Sequence, residues 1–168
     1  MIPKPAKIKR AKQRATVIYH RGEEVLLVRK RKANSKWNLP GGRLDQNETA
    51  TEAAFREMAE ETGLELAHLA YIAEFKDTHI IHHLFESSAS LVVEPRPCNE
   101  IEECRWFTLK ELDEQEVTGV VEALIDGVRN GRKGYSVVVG SAAYTVDPVS
   151  TDSMCGLVSW FREIAMTW

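Results

Sequence analysis

The sequence predicts an α/β protein in which a mixed β-sheet is covered by helices. Strand-like and helical runs both occur, and strands flank two helices in an order that does not alternate strictly, which disfavours a regular parallel βαβ stack. The chain has 168 residues, 43% of them apolar. That is enough for one domain with a substantial core and short for two.

Ala15 to His20 and Glu24 to Lys30 are β-prone and separated by Arg21-Gly22-Glu23, the pattern of a hairpin. Trp37-Asn38-Leu39 then enters the loop signal Pro40-Gly41-Gly42. Asn47 to Thr62 reads as a helix stopped by Gly63, and Thr49 with Glu52 has the spacing of a capping box, which puts the helix start near residue 49. Strands are expected from Leu69 to Phe75, from Thr78 to Val93 and over Arg105-Trp106-Phe107, with a loop at Pro95 and Pro97. Val117 to Arg129 carries apolar residues at Val117, Val120, Val121, Leu124 and Val128, the period of a second helix. Tyr135 to Val146 is β-prone around Gly140-Ser141, and Ser153 to Met166 has amphipathic helical spacing at Leu157, Trp160, Phe161 and Ile164. This divides the chain into a basic, flexible leader (1–14), a domain (15–131) and a C-terminal extension (132–168). The extension packs on the core or forms a homodimer contact.

Charge is unevenly placed. Lys4, Lys7, Lys9, Arg10, Lys12 and Arg14 give the first fourteen residues +6, and with a total of −3 the remaining 154 carry −9. An acidic body does not attract a polyanion unaided, so an anionic substrate needs a local basic patch or bridging cations. The leader reads first as a solvated arm and second as a nucleic-acid or polyphosphate contact. No apolar run approaches the length of a membrane span, and no apolar stretch or cleavage site follows the basic residues, so the expected compartment is cytoplasmic, with no membrane partner. Cys98, Cys104 and Cys155 are odd in number and lack CxxC spacing, which argues against a disulfide framework and structural zinc.

The informative stretch is Gly42 to Leu64. It reads Gly42, five residues, Glu48, seven residues, then Arg56-Glu57-Met58-Ala59-Glu60-Glu61-Thr62-Gly63-Leu64. Offsets of three and four residues put Glu57, Glu60 and Glu61 on one helix face. Three carboxylates there repel one another, and a hard divalent cation, Mg²⁺ or Mn²⁺, relieves the repulsion. Ala50 and Ala53 on that face are small and leave room for a ligand, Phe55 and Met58 are expected in the core, and Glu52 is spaced for an i,i+4 pair with Arg56.

Gly42 to Leu64 resembles the Nudix hydrolase signature at every specified position, with Met58 and Leu64 as its apolar residues. More loosely, the likeness runs from Ala15 to Gly131. The resemblance implies an α/β/α sandwich around a mixed sheet, and metal-dependent hydrolysis of a phosphoanhydride in a nucleoside diphosphate linked to another moiety. It implies Glu57, Glu60, Glu61 and the Gly41 carbonyl as metal ligands, with Arg56 orienting the glutamates together with Glu48. The base is left among Glu57, Glu61 and Glu100, whose position six residues before Trp106 resembles the family's mobile-loop glutamate; Glu102 and Glu103 are its rivals and read as solvated.

Arg29 and Arg31, with Lys36 nearby, are candidate phosphate contacts, and Phe75 and Phe85 are candidates to stack on a nucleobase. Strand alternation puts His79 and His83 on one face and His82 on the other, and all three read as structural or solvent-facing, because a hard oxygen site does not require imidazole. Family marks for ADP-ribose, diadenosine polyphosphate and NADH substrates are not evident; Ile80 and Ile81 lie where the ADP-ribose proline would fall. Modified nucleoside triphosphates, dinucleotide polyphosphates, inositol pyrophosphates and RNA 5′ ends stay open. The competing expectation is a non-catalytic module of the same fold that senses a ligand or binds nucleic acid. Such a module would be expected to lose motif glutamates, whereas all three are present.

Overall fold

A strand beginning three residues earlier than expected organises the domain: β1 (Lys12–Arg21) takes in the end of the basic leader. It belongs to a computed structural model that describes residues 12–76, 80–89, 94–122, 125, 135–139 and 142–146. β2 (Glu24–Lys30), β3 (Gly41–Arg43), α1 (Ala50–Thr62), β4 (Ala70–Lys76), β5 (Ile80–Ser88), β6 (Ile101–Thr108) and the single turn α2 (Leu109–Leu112) follow. The strand order is β4-β5-β1-β2-β6, with β3 also on β1. β1 and β5 are parallel over nine residue pairs from Lys12↔Ile80 to His20↔Ser88, and every other pairing in this sheet is antiparallel.

One edge of β1 is shared between two strands. Near its C-terminal end it pairs with β2 through His20↔Val25 and Arg21↔Glu24. Near its N-terminal end it pairs with β3 through Arg14↔Arg43, Ala15↔Gly42 and Thr16↔Gly41. The gap between is bridged by Val17 N–H donating to the Pro40 carbonyl at 2.9 Å. The Pro-Gly-Gly segment is thereby fixed to the middle of the sheet.

Strand alternation sends apolar side chains to both faces. Ala15, Val17, Leu26, Phe85 and Trp106 meet Ala53, Ala54 and Met58 of α1 on one side. On the other, Ile18, Val25, Leu27 and Phe107 pack against Trp37, Leu39, Leu112, Val117, Val121 and Ile125. The Trp37 and Phe107 rings meet edge to face at 4.8 Å. Helical residues 119–122 open the expected second helix, two residues after Val117, which instead bridges to Trp37. Leu124 and Val128 lie outside the described residues. With helices on both faces of a mixed sheet, the α/β expectation holds.

α1 owes its limits to local chemistry. Thr49 accepts from the Glu52 N–H while the Glu52 carboxylate takes the Thr49 N–H, the expected capping box. At the other end Gly63 adopts φ 67° in the left-handed region. Two expectations for this helix fail. Phe55 is 36% exposed, not core, because α1 turns its Ala53–Ala54–Met58 face to the sheet. Glu52 is committed to the cap and does not pair with Arg56, which reaches Glu48 instead.

β7 (Tyr135–Val139) and β8 (Ala142–Val146) pair antiparallel as a separate hairpin, as the β-prone run around Gly140-Ser141 suggests. The helix expected over Ser153 to Met166 lies outside the described residues, as do His79 and Cys155. Among the described residues no helix is long and apolar enough to cross a membrane.

Candidate functional site

β3 and α1 meet without space between them. A Cβ on Gly42 would overlap the Glu57 carboxylate, and one on Gly41 would overlap the Ala15 carbonyl. Gly41 also has φ 143°, which side chains of L-residues rarely adopt. Gly42 therefore lets the helix's acidic face approach β3, and Gly41 lets β3 lie close against β1. Ala53 serves the same closeness: it is 0% exposed and packs on the β1 and β2 core, so its small size favours helix–sheet contact and opens no room for a ligand.

Arg56 gathers the acidic groups. Its Nε and Nη2 donate to Glu48 at 2.7 and 2.9 Å, a bidentate pair, and its Nη1 donates to Glu57 at 2.9 Å and Glu60 at 3.0 Å. Nη2 also donates to the Arg43 carbonyl at 3.0 Å, tying the set to β3. Hydrogen bonding to Arg56 holds the Glu48 carboxyl below its ordinary range, and the same bond keeps Arg56 charged.

Glu61 is the most deeply placed, at 1% exposed. Its Oε2 accepts from the Gly41 N–H at 2.9 Å. Its Oε1 is buried and has no hydrogen-bond partner. The Lys30 ammonium stands 3.6 Å from it and donates to Glu100 at 3.0 Å. Burial pushes the Glu61 carboxyl up to about 7, the charges of Glu57 and Glu100 push the same way, and the Gly41 N–H and Lys30 oppose them.

Glu100 reaches the site because its loop is anchored to the end of α1. The helix's last carbonyls lack intrahelical partners. Asn99 Nδ2 donates to the Glu60 carbonyl at 2.8 Å, Cys98 N–H to that of Glu61 at 3.2 Å, and Arg96 N–H to that of Thr62 at 2.8 Å. Arg31 N–H donates to the Glu100 carbonyl at 2.8 Å from the other side. Lys30 holds the Glu100 carboxyl below its usual range by hydrogen bonding. Of the rivals, Glu102 is exposed and Glu103 pairs with Arg29 at 2.7 Å, so neither joins Glu61.

Among the basic candidates, Arg29 needs correction. Arg29 continues the Val25–Leu27 face of β2 and lies over the Trp37 ring at 5.0 Å, on the opposite side of the sheet from α1. The side chains of Arg31 and Lys36 are exposed and belong to no described contact of the acidic set. Lys30 occupies the position expected of these cations, and counting alternate residues from Leu26 and Val28 would have placed it. Arg14, assigned to the leader, donates from Nη2 to the Gly41 carbonyl at 2.7 Å.

Phe85 is a second correction: at 1% exposed it is part of the core, with its ring against Tyr71, and offers no face to a base. The Phe75 side chain lies outside the described residues. His83 hydrogen-bonds Gln13 at 2.8 Å and stands 3.8 Å from the Glu74 carboxylate.

The donor set suits a hard divalent cation. It combines carboxylates at Glu57, Glu60 and Glu61, one oxygen of the last being buried without a hydrogen bond, and the Gly41 carbonyl. As the side chains stand, no three His, Cys, Asp or Glu groups among the described residues are arranged to hold a metal. The physical reason is visible: Arg56 draws Glu57 and Glu60 to itself, while Gly41 and Lys30 hold Glu61.

Similarity to known proteins agrees with this geometry. Residues 9–124 match the model of the NUDIX domain. A Bacillus subtilis (strain 168) protein provisionally named an 8-oxo-dGTP diphosphatase is 45% identical over 60 residues, 36% of this chain and 40% of its own. An RNA pyrophosphohydrolase of Ruthia magnifica subsp. Calyptogena magnifica is 38% identical over 74 residues, 39% of this chain and 41% of its own. The match thus spans about two fifths of the length of each. Among solved structures, the MutT NUDIX hydrolase of Burkholderia pseudomallei superimposes with TM-score 0.59 at 25% identity, covering 68% of this chain and 95% of its own. The domain match takes in more than half of the chain and includes the whole glycine–glutamate–arginine pattern from Gly42 to Leu64, so the chain belongs to the Nudix family.

Proposed function

We propose that this chain is a divalent-metal-dependent pyrophosphohydrolase that cleaves a phosphoanhydride in a nucleotide or nucleotide derivative, with water attacking phosphorus. The observation that carries this reading is the buried Glu61 Oε1, which has no hydrogen bond. A buried carboxylate oxygen left in that state is costly unless a ligand completes it. Glu57, Glu60, Glu61 and the Gly41 carbonyl are the groups that would hold Mg²⁺ or Mn²⁺. When bound, the metal neutralises diphosphate charge, polarises phosphorus and lowers the pKa of a water.

The chain's own residues then divide the work. Arg56, held by Glu48, orients Glu57 and Glu60. Gly41 N–H orients Glu61. Glu100 stands beside Glu61 through Lys30 and is the proposed proton acceptor, with Glu57 and Glu61 as the alternatives. Lys30 adds to Arg56 a second positive charge on a face dominated by carboxylates, as a phosphate requires. The two relatives act, by name, on a free nucleotide and on RNA, and what these share is a phosphoanhydride borne by a nucleoside.

The test is phosphate release, after coupled phosphatase treatment, from nucleoside triphosphates, oxidised nucleotides, dinucleotide polyphosphates, nucleotide sugars, ADP-ribose and 5′-triphosphorylated RNA. Turnover of at least one with added Mg²⁺ or Mn²⁺ is expected. Silence across the panel from folded, metal-loaded protein contradicts the proposal.

A further inference from the structure

Arg14 lies outside the glycine–glutamate–arginine pattern, yet its guanidinium touches the residue immediately before it. Its Nη2 donates to the Gly41 carbonyl at 2.7 Å, while the N–H of the same glycine holds Glu61 Oε2 at 2.9 Å. One residue of β3 therefore carries an arginine on its oxygen and a buried carboxylate on its nitrogen. The backbone beneath Arg14 is fixed on both sides, by Arg43 in β3 and by His82 in β5, so a change in its contacts falls to the side chain alone.

The Gly41 carbonyl cannot serve two cations equally well. A divalent ion on that oxygen repels a guanidinium hydrogen-bonded to it, and the repulsion is strong in a half-buried setting where water screens poorly. A guanidinium released there stays only if an anion takes it, and its planar donors match phosphate oxygens. The acidic surroundings make such a cation more valuable: Glu48, Glu57, Glu60, Glu61 and Glu100 outnumber Arg56 and Lys30.

We propose that Arg14 is a diphosphate-binding residue that the Gly41 carbonyl holds while no divalent cation is bound, and that its guanidinium turns to a substrate phosphate oxygen when the carbonyl takes the cation. This rests on the metal-dependent reading above. It gives Arg14 opposite effects on two ligands, which a purely structural tie between β1 and β3 does not.

The experiment measures Mn²⁺ binding, from the free-ion paramagnetic resonance signal, and binding of imidodiphosphate at saturating Mn²⁺, in the full chain and in R14M and R14K. R14M removes the charge and keeps much of the apolar stem. Loss of a charge-assisted hydrogen bond corresponds to roughly tenfold weaker imidodiphosphate binding. Removal of the competing cation is expected to tighten Mn²⁺ about threefold. R14K is expected between R14M and the parent on both, and carries the test if R14M does not fold. Mn²⁺ affinity that is unchanged or weaker overturns the proposal, as does unchanged imidodiphosphate affinity. Absence of Mn²⁺ binding by the parent chain overturns the metal site itself and this proposal with it, a result distinct from either failure in the variants.

Discussion

The two oxygens of Glu61 are treated differently by their surroundings, and that asymmetry is testable. Oε2 has the Gly41 N–H, whereas Oε1 is buried without a hydrogen bond. With the carboxyl pushed up to about 7 from an ordinary 4.5, the folded chain keeps a proton through a range in which the unfolded chain has lost it. Stability of the metal-free protein therefore falls as pH rises from about 4.5 to about 7 and stays reduced above. Glu61→Gln removes this cost, so the metal-free variant is expected to be more stable than the parent by about 1–3 kcal/mol at pH 8 and equal to it at pH 4. Thermal unfolding at the two pH values checks this, and equal midpoints at pH 8 contradict it. Gly42 gives a second prediction at this scale. A Cβ there collides with the Glu57 carboxylate, so Gly42→Ala is expected to lower turnover about tenfold or more by displacing one ligand. Steady-state rates at saturating Mg²⁺ check it, and parent-like turnover would mean that the close approach of β3 to Glu57 is immaterial.

At the scale of elements, what could be read in advance was what the local chain decides. Thr49, Glu52 and Gly63 end α1 through bonds within a few residues, and their spacing alone located both limits. Thr49→Ala is expected to cost about 1 kcal/mol of stability through the lost cap, measured by chemical denaturation. An unchanged midpoint would show that packing of Ala53, Ala54 and Met58 alone holds the helix. Features set by distant partners were not legible. The charged Lys12–Arg14 stretch looks like a leader, yet it is strand because β5 and β3 flank it, and those pairings span tens of residues. Arg29 and Arg31 were assigned by their charge, while the direction in which β2 turns each residue decides that Lys30 reaches Glu61 and Arg29 reaches Trp37. Asn99 gave no signal, since its task is to satisfy a helix carbonyl 39 positions away.

Across the whole molecule, the shared edge of β1 brings the parts together. β2 contributes Lys30, β3 contributes Gly41 and Gly42, and α1 lies across them with its acidic face inward. The motif made the carboxylates and Arg56 visible in the sequence, but Lys30, which stands by Glu61, and Arg14, which holds the Gly41 carbonyl, come from strands outside it. Two cores on opposite faces of one sheet give that arrangement a rigid base. The central claim is that these carboxylates make hydrolysis depend on a divalent cation. It is tested most directly by comparing turnover of the best panel substrate in the parent and in Glu60→Gln, each with and without Mg²⁺. Glu60 is well suited because it is half-exposed and bonded to Arg56, so its amide leaves the fold intact. The expected result is turnover in the parent that requires Mg²⁺, and a fall of about a hundredfold or more in Glu60→Gln. Equal turnover in the variant, or turnover that persists after the metal is removed, contradicts the claim.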